Sequence, residues 1–218
     1  MTFLTDILLG DYALSQKKEF VMNKRQIQKK KTREIILRNA KRCFINKGFL
    51  NTTTSEIASE SKIAHGTLFL HFKNKDTLII EILDEQLEAI SFKIIELIRD
   101  TNDLEEILSK YLELLQKEED FFYTIARELP FYHEELRRKI IFRESIIRSK
   151  FVKAINEGIE QGSFIKCDSV TATTFLFSII NYYLSLKEIF VSEGSVISKF
   201  KDKIIKTFIS FLTKREDE

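Results

Sequence analysis

Proline and glycine are scarce here, with one Pro and six Gly in 218 residues. The chain therefore has little of the usual turn material, while its abundant Ile, Leu, Phe, Lys and Glu favour long helices joined by short connections. Cysteine is rarer still: Cys43 and Cys167 lie far apart and belong to no CxxC or Cys/His grouping. Neither a disulfide framework nor a zinc site is therefore indicated, and a reducing cytoplasm fits. No apolar run approaches the roughly 18 residues of a membrane span. The opening MTFLTDILLGDYALSQKK is interrupted by Asp6 and has no basic region before it, so it does not read as a secretory signal. Without such a signal the NTT sequon at Asn51 carries no weight. With only three His, and with no phosphate-binding loop, nucleophile elbow or metal cluster, an enzyme is not indicated. The expectation is an all-α, non-catalytic, cytoplasmic protein with no cofactor and no metal, long enough to bury a core of its own.

What is present is a charge asymmetry hidden in a net charge of +2. Residues 1–78 carry 15 Lys/Arg against 7 Asp/Glu, and the remainder carries 20 against 26. A basic amino-terminal third on a mildly acidic remainder suggests that one end meets a polyanion, and nucleic acid fits better than a membrane surface. Residues 1–29 read as an amino-terminal arm or frayed helix extension ending in NKRQIQKKKTR, with residues 1–21 a candidate upstream extension before Met22.

Over residues 32–47, Ile36, Ala40, Cys43 and Phe44 recur at intervals of three and four, which makes one helix face. Gly48 ends that helix in the manner of a left-handed C-terminal residue, and Phe49 can fold back onto the apolar face. Thr53 with Glu56 three residues later is a capping box, so a helix begins at Thr54 with Ile57 and Ala58 facing inward. Ser61-Lys62-Ile63 breaks the pattern, and residues 64–72 restart it with Leu68 and Phe72 four apart. Two short helices joined by a tight turn and packed on a longer preceding helix form a helix-turn-helix, here within residues 30–78.

The ordered set Ile36, Ala40, Phe44, Gly48-Phe49, Thr53-Thr54, Ile57-Ala58, Ile63, Gly66-Thr67-Leu68-Phe69, Phe72, Lys73, Lys75 and Leu78 resembles the DNA-binding domain of the TetR family of transcriptional regulators. The apolar members make the small core. Thr54 and Ser55 at the start of the first short helix, and His65, Gly66, Thr67, Phe69, Leu70 and His71 along the second, are the candidate DNA-facing residues. Imidazole and hydroxyl groups can donate or accept at base edges, and Leu70 can meet a thymine methyl group. Lys75, with Lys73 beside it, matches the family's phosphate-clamping lysine. Three departures stand out: Lys62 where the turn commonly has Gly, Ala64 in place of a hydroxyl cap, and Phe69 where a Tyr commonly places its hydroxyl on phosphate.

Beyond residue 78 the helical pattern predicts segments near 75–99, 104–117, 119–139, 142–161, 168–191 and 195–214, with breaks readable at 99–103, near Pro130, at 160–164 and at 192–195. The resemblance implies that residues 79–218 bind a small-molecule effector between the middle helices and dimerise through the last two long ones. Tyr123, Arg127, His133 and Asn181 are the candidate polar groups of an otherwise apolar pocket. VTATTFLFSIINYYLSL is apolar on more faces than one core contact requires, which an isologous dimer would explain. The implied function is a homodimeric repressor on double-stranded DNA with a palindromic operator, released by a largely apolar ligand and with no role at a membrane. The alternative is a helical interaction protein whose basic end binds a membrane surface or an acidic partner.

Overall fold

The computed structural model describes residues 24–213. The expected arm before residue 24, including the candidate extension 1–21, lies outside the described residues. Among those described, helices follow one another without a strand: α1 (Lys24–Lys47), α2 (Thr54–Glu60), α3 (His65–Phe69), α4 (Lys75–Leu97), α5 (Leu104–Lys117), α6 (Glu119–Glu128), a 3-10 turn (Leu129–Phe131), α7 (Glu134–Glu160), α8 (Ser169–Ser185), α9 (Lys187–Phe190) and α10 (Val196–Leu212). None of these helices is long and apolar enough to cross a membrane.

Local chemistry sets most of the boundaries. Thr53 and Glu56 close the expected capping box, with the Glu56 amide donating to Thr53 Oγ1 at 3.2 Å and the Thr53 amide to Glu56 Oε2 at 2.9 Å. Asn74, Asp103, Asp168 and Ser195 accept from an amide in the first turn of α4, α5, α8 and α10. Gly48 stands in the left-handed region at φ 82°, and Phe49 turns back to lie 4.7 Å from Phe44, ring centre to ring centre.

Three boundaries differ from the sequence expectation. The first helix covers Lys24–Lys47 and not only the residues from 32 on, so over the described part of the basic run the helix-extension alternative holds and the arm does not. The break expected near Pro130 is present, as the 3-10 turn, whereas the one expected between 139 and 142 does not occur and α7 runs unbroken through that stretch. Ile141 and Phe142 are exposed on its outer face, and these outward apolar residues blur the helical period that would have joined the two segments. The expected 168–191 helix is divided at Leu186 into α8 and α9.

One apolar cluster runs from Ile36 of α1 to Leu212 of α10. The amino-terminal trio α1–α3 joins the rest through α1 packed on α4 and α6, while α4 packs along α7, α5 on α10 and α8 on α6, α7 and α10. Because α4 runs from Lys75 to Leu97, the reading unit and the larger unit share one continuous helix across residue 78.

Candidate nucleic-acid interface

The turn between α2 and α3 is a Schellman closure, in which the Ile63 amide donates to Ala58 O at 3.1 Å and the Lys62 amide to Ser59 O at 3.0 Å. Lys62 occupies the left-handed position at φ 55°, the one non-glycine residue with positive φ among those described. The turn thus keeps the shape a glycine would give it, at a steric cost to a residue that carries a Cβ. Ala64 precedes α3 in an extended conformation and makes no side-chain cap, as its lack of a hydroxyl requires.

This turn sets the start of α3 against the start of α2. Thr54 Oγ1 lies 2.9 Å from His65 Nε2, and Ser55 Oγ lies 3.5 Å from the same nitrogen. Whichever partner carries the shared proton, the contact fixes the imidazole plane, and Phe69 supports it edge-on at 5.0 Å. Thr54, Ser55 and His65 therefore form one polar ridge. Gly66 beside it has nothing within 4 Å of where a Cβ would stand, so no protein atom needs the glycine. Leu70 is 76% exposed and Phe69 44% exposed, two adjacent large apolar side chains left on the surface. Lys73 is exposed and Thr67 half-buried. Lys75 is half-buried, its ammonium donating to Leu50 O at 3.2 Å.

His71 departs from the expected outward position. Helix α3 ends at Phe69, so the chain turns at Leu70 and brings His71 partly inside, with Nδ1 buried and unpartnered. Burial lowers its pKa first, and the cationic Lys29 and Arg33 of α1 lower it further. The inner residues behave as the spacing required: Ile36, Ala40, Phe44, Phe49, Ile57, Ala58, Leu68 and Phe72 are buried, and Ile63 packs partly buried against them.

Several positioning groups had no signal in the sequence. Arg33 pairs both guanidinium arms with Glu81 of α4 and lies 4.7 Å over the Phe72 ring, fixing α1 to α4 behind the reading helix. Asn39 donates to Glu60 O and Ser61 Oγ, pinning the end of α2. Glu128, at the end of α6, is 3% exposed and accepts from the Phe49 and Leu50 amides at 2.8 and 3.2 Å. At the other end of α6, buried Glu119 accepts from Ser195 Oγ and from the Val196 and Ile197 amides at 3.0 and 3.1 Å. Lys187 neutralises it at 3.0 Å. One short helix thus caps α10 with one carboxylate and holds the loop after α1 with another.

The four candidate pocket residues do not gather around one space. Tyr123 donates to Glu188 at 2.6 Å and accepts from Arg127 at 2.8 Å on the outside of α6. His133 faces Asp76 at 3.7 Å, and Asn181 is exposed on α8. The region between the middle helices instead holds Tyr111, Phe151 and Phe177, whose ring centres lie 5.2 to 5.5 Å apart. Arg148 lies 4.3 Å over Phe177 and pairs with Glu144 at 3.1 Å. Burial and the nearby Glu144 raise the Tyr111 hydroxyl well above its ordinary pKa. Separately, α8 and α10 flank an open apolar groove of about 450 Å³ lined by Phe175, Ile179, Tyr182, Phe208 and Phe211, among others.

Comparison with known proteins decides the family. Residues 36–82 match the family model described as bacterial regulatory proteins, tetR family. Residues 99–185 match that of the tetracyclin repressor-like C-terminal domain, and together the two account for more than half of the chain. The chain belongs to the TetR family. An uncharacterised HTH-type transcriptional regulator of Bacillus subtilis, YerO, is 25% identical over 160 residues, 68% of this chain and 55% of its own. The chain spans about half the length of the curated relatives it first matches. Among solved structures, the regulator FadR of B. subtilis in complex with stearoyl-CoA superposes with a TM-score of 0.68 at 22% identity, covering 82% of this chain and 98% of that one. AibR in complex with isovaleryl coenzyme A and operator DNA gives 0.65 at 17%, covering 84% and 98%. At these identities the structural likeness establishes the TetR fold. Within that fold Lys62, Ala64 and Phe69 remain departures from the common pattern, and the geometry shows how the first two are absorbed: a left-handed lysine and an uncapped helix start.

Proposed function

We propose that this TetR-family chain is a homodimeric transcriptional repressor that reads a palindromic operator through α2 and α3 and acts in the cytoplasm. The observation that carries this reading is the ridge of Thr54, Ser55 and His65 with Gly66, Thr67, Phe69 and Leu70. Polar groups and two exposed apolar side chains share the outward side of a helix-turn-helix. Such a surface suits a major groove, where hydroxyl and imidazole groups meet base edges and Leu70 meets a methyl group. Lys73, just before α4, and Lys75, its first residue, hold backbone phosphates in this reading. The groove between α8 and α10 supports dimerisation through those helices: Phe175, Ile179, Tyr182 and Phe211 are each about half exposed and carry apolar surface a lone chain would leave in water.

For the effector we propose an acyl-CoA thioester. The support is twofold: the FadR and AibR neighbours hold ligands of that class, and the Tyr111–Phe151–Phe177 cluster is an apolar interior that an acyl chain could displace, with the Glu144–Arg148 pair beside it. The ligand then favours a different separation of the two reading helices. The test is selection of bound fragments from the source genome, followed by mobility shift on the selected duplex with stearoyl-CoA, isovaleryl-CoA or free CoA added. Release by a thioester and not by free CoA is expected. A chain that is monomeric at micromolar concentration and binds no duplex would overturn the reading.

A further inference from the structure

The first helix extends well past what its packing on the core needs. Its first buried residue is Ile36, yet it begins at Lys24, and every residue from Lys24 to Lys31 is exposed. Five of those eight residues are Lys or Arg, and the first turn holds no acid. Lys29, Lys30 and Lys31 follow one another in sequence and Lys29 stands at i, i+4 spacing from Arg33, a like-charge crowding that works against an isolated helix. Among the described residues, none of Lys24, Lys29, Lys30 and Lys31 has an acidic partner.

The column is also placed. Arg33 lies 4.7 Å over the Phe72 ring, just past the end of the reading helix, and Lys29 stands one turn before Arg33 on the same face of α1, so this side of α1 stands beside the carboxyl-terminal end of that helix. Arg33 is committed to Glu81 and Phe72. Lys29 lies one turn further out, about 10 Å along the axis beyond Ile36, with Lys30 next to it. At 100° per residue Lys24 and Lys31 fall on the opposite side of the helix.

We propose that the outer turns of α1 form a second DNA contact, in which Lys29 and Lys30 bind phosphates flanking the half-site read by α3. This rests on the DNA-binding reading above and extends it. The contact widens the footprint by a backbone-only interaction that carries no sequence information of its own. Phosphates supply anionic partners for Lys29 and Lys30, and the helix is already formed to present them.

The test uses the full chain and a random-sequence duplex of about 40 base pairs, with binding measured across a salt series. Two double variants remove equal charge from opposite faces: Lys29→Ala with Lys30→Ala, and Lys24→Ala with Lys31→Ala. Removing one lysine–phosphate interaction lowers the slope of log K against log salt by about 0.9, so the first pair should lower it by about 3.6 in a dimer and the second by less than about 1. Equal reductions from both pairs, or none from the first while the wild type still binds, overturn this proposal and leave the DNA-binding reading standing. A wild type that binds no duplex overturns both. Vesicles containing about 30% phosphatidylserine serve as the competing anionic surface, and binding to them in preference to duplex also overturns the proposal. All four substituted residues are exposed and replaced by a strong helix former, so folding is preserved and circular dichroism confirms it.

Discussion

The Glu128 carboxylate fills the space in which a side chain at Gly48 would stand: a Cβ there would overlap Glu128 Oε1 and lie 3.0 Å from Arg127 Nη2. Gly48 is therefore required twice, by its φ of 82° and by the close approach of α6 to the loop after α1. The same carboxylate satisfies the Phe49 and Leu50 amides, so the reading unit is tied to the larger unit by a buried, charge-assisted contact.

A double-mutant cycle checks this relationship. Gly48→Ala should cost roughly 2–4 kcal/mol through backbone strain and overlap. Glu128→Ala should cost a similar amount by leaving the buried Phe49 amide, and the partly buried Leu50 amide beside it, without an acceptor, about 1–3 kcal/mol for the buried one. With both changes, the overlap disappears and the combined destabilisation in urea unfolding should fall short of the sum. Strict additivity would show that the two residues do not meet.

Lys62→Gly should stabilise the protein. The left-handed conformation costs a residue with a Cβ about 1–2 kcal/mol that glycine avoids, offset in part by glycine's greater freedom when unfolded. A rise in melting temperature of a few degrees is expected, with affinity for the selected duplex unchanged. No gain in melting temperature would contradict the turn geometry at φ 55°.

Gly66→Ala separates folding from recognition. Nothing in the protein occupies the space a methyl group would take, and alanine is the better helix former by about 1 kcal/mol, so thermal stability should hold or rise. Affinity for the selected operator should nonetheless fall about tenfold or more, since the methyl group meets the groove; each 1.4 kcal/mol lost there is tenfold. Unchanged affinity would remove Gly66 from the interface.

The half-buried His71 gives stability a pH dependence of known sign. Burial, then Lys29 and Arg33, lower its folded pKa below the ordinary 6.5, so the unfolded chain binds more protons in the window just beneath that value. Stability should fall as pH drops from 7.5 to 5.5, and His71→Gln should flatten that dependence in urea midpoints taken at the two pH values. Parallel behaviour of wild type and variant would rule His71 out as the group responsible.

Residues close in sequence are legible because their physics is local. Thr53 and Glu56 announce a helix start by spacing alone, Gly48 announces an end, and Ile36, Ala40 and Phe44 mark one face of α1. The false break near 139–142 has the same origin: Ile141 and Phe142 are apolar but point outward, and a rule built on apolar period takes them for core. The expectation that His71 continues α3 fails because the helix stops after five residues and the turn at Leu70 sends the ring partly inward.

By itself, the sequence determined the helical class, the order of elements through the helix-turn-helix, and the residues that form its small core, because apolar period, caps and turn residues act over a few positions. Tertiary structure alone decided the partners of charges distant along the chain. Arg33 meets Glu81, Glu119 meets the start of α10, and Glu128 meets the loop after α1, across separations of 48 to 79 residues. A carboxylate's sequence neighbourhood does not say which amides it will cap; only the packing that removes water from around it does.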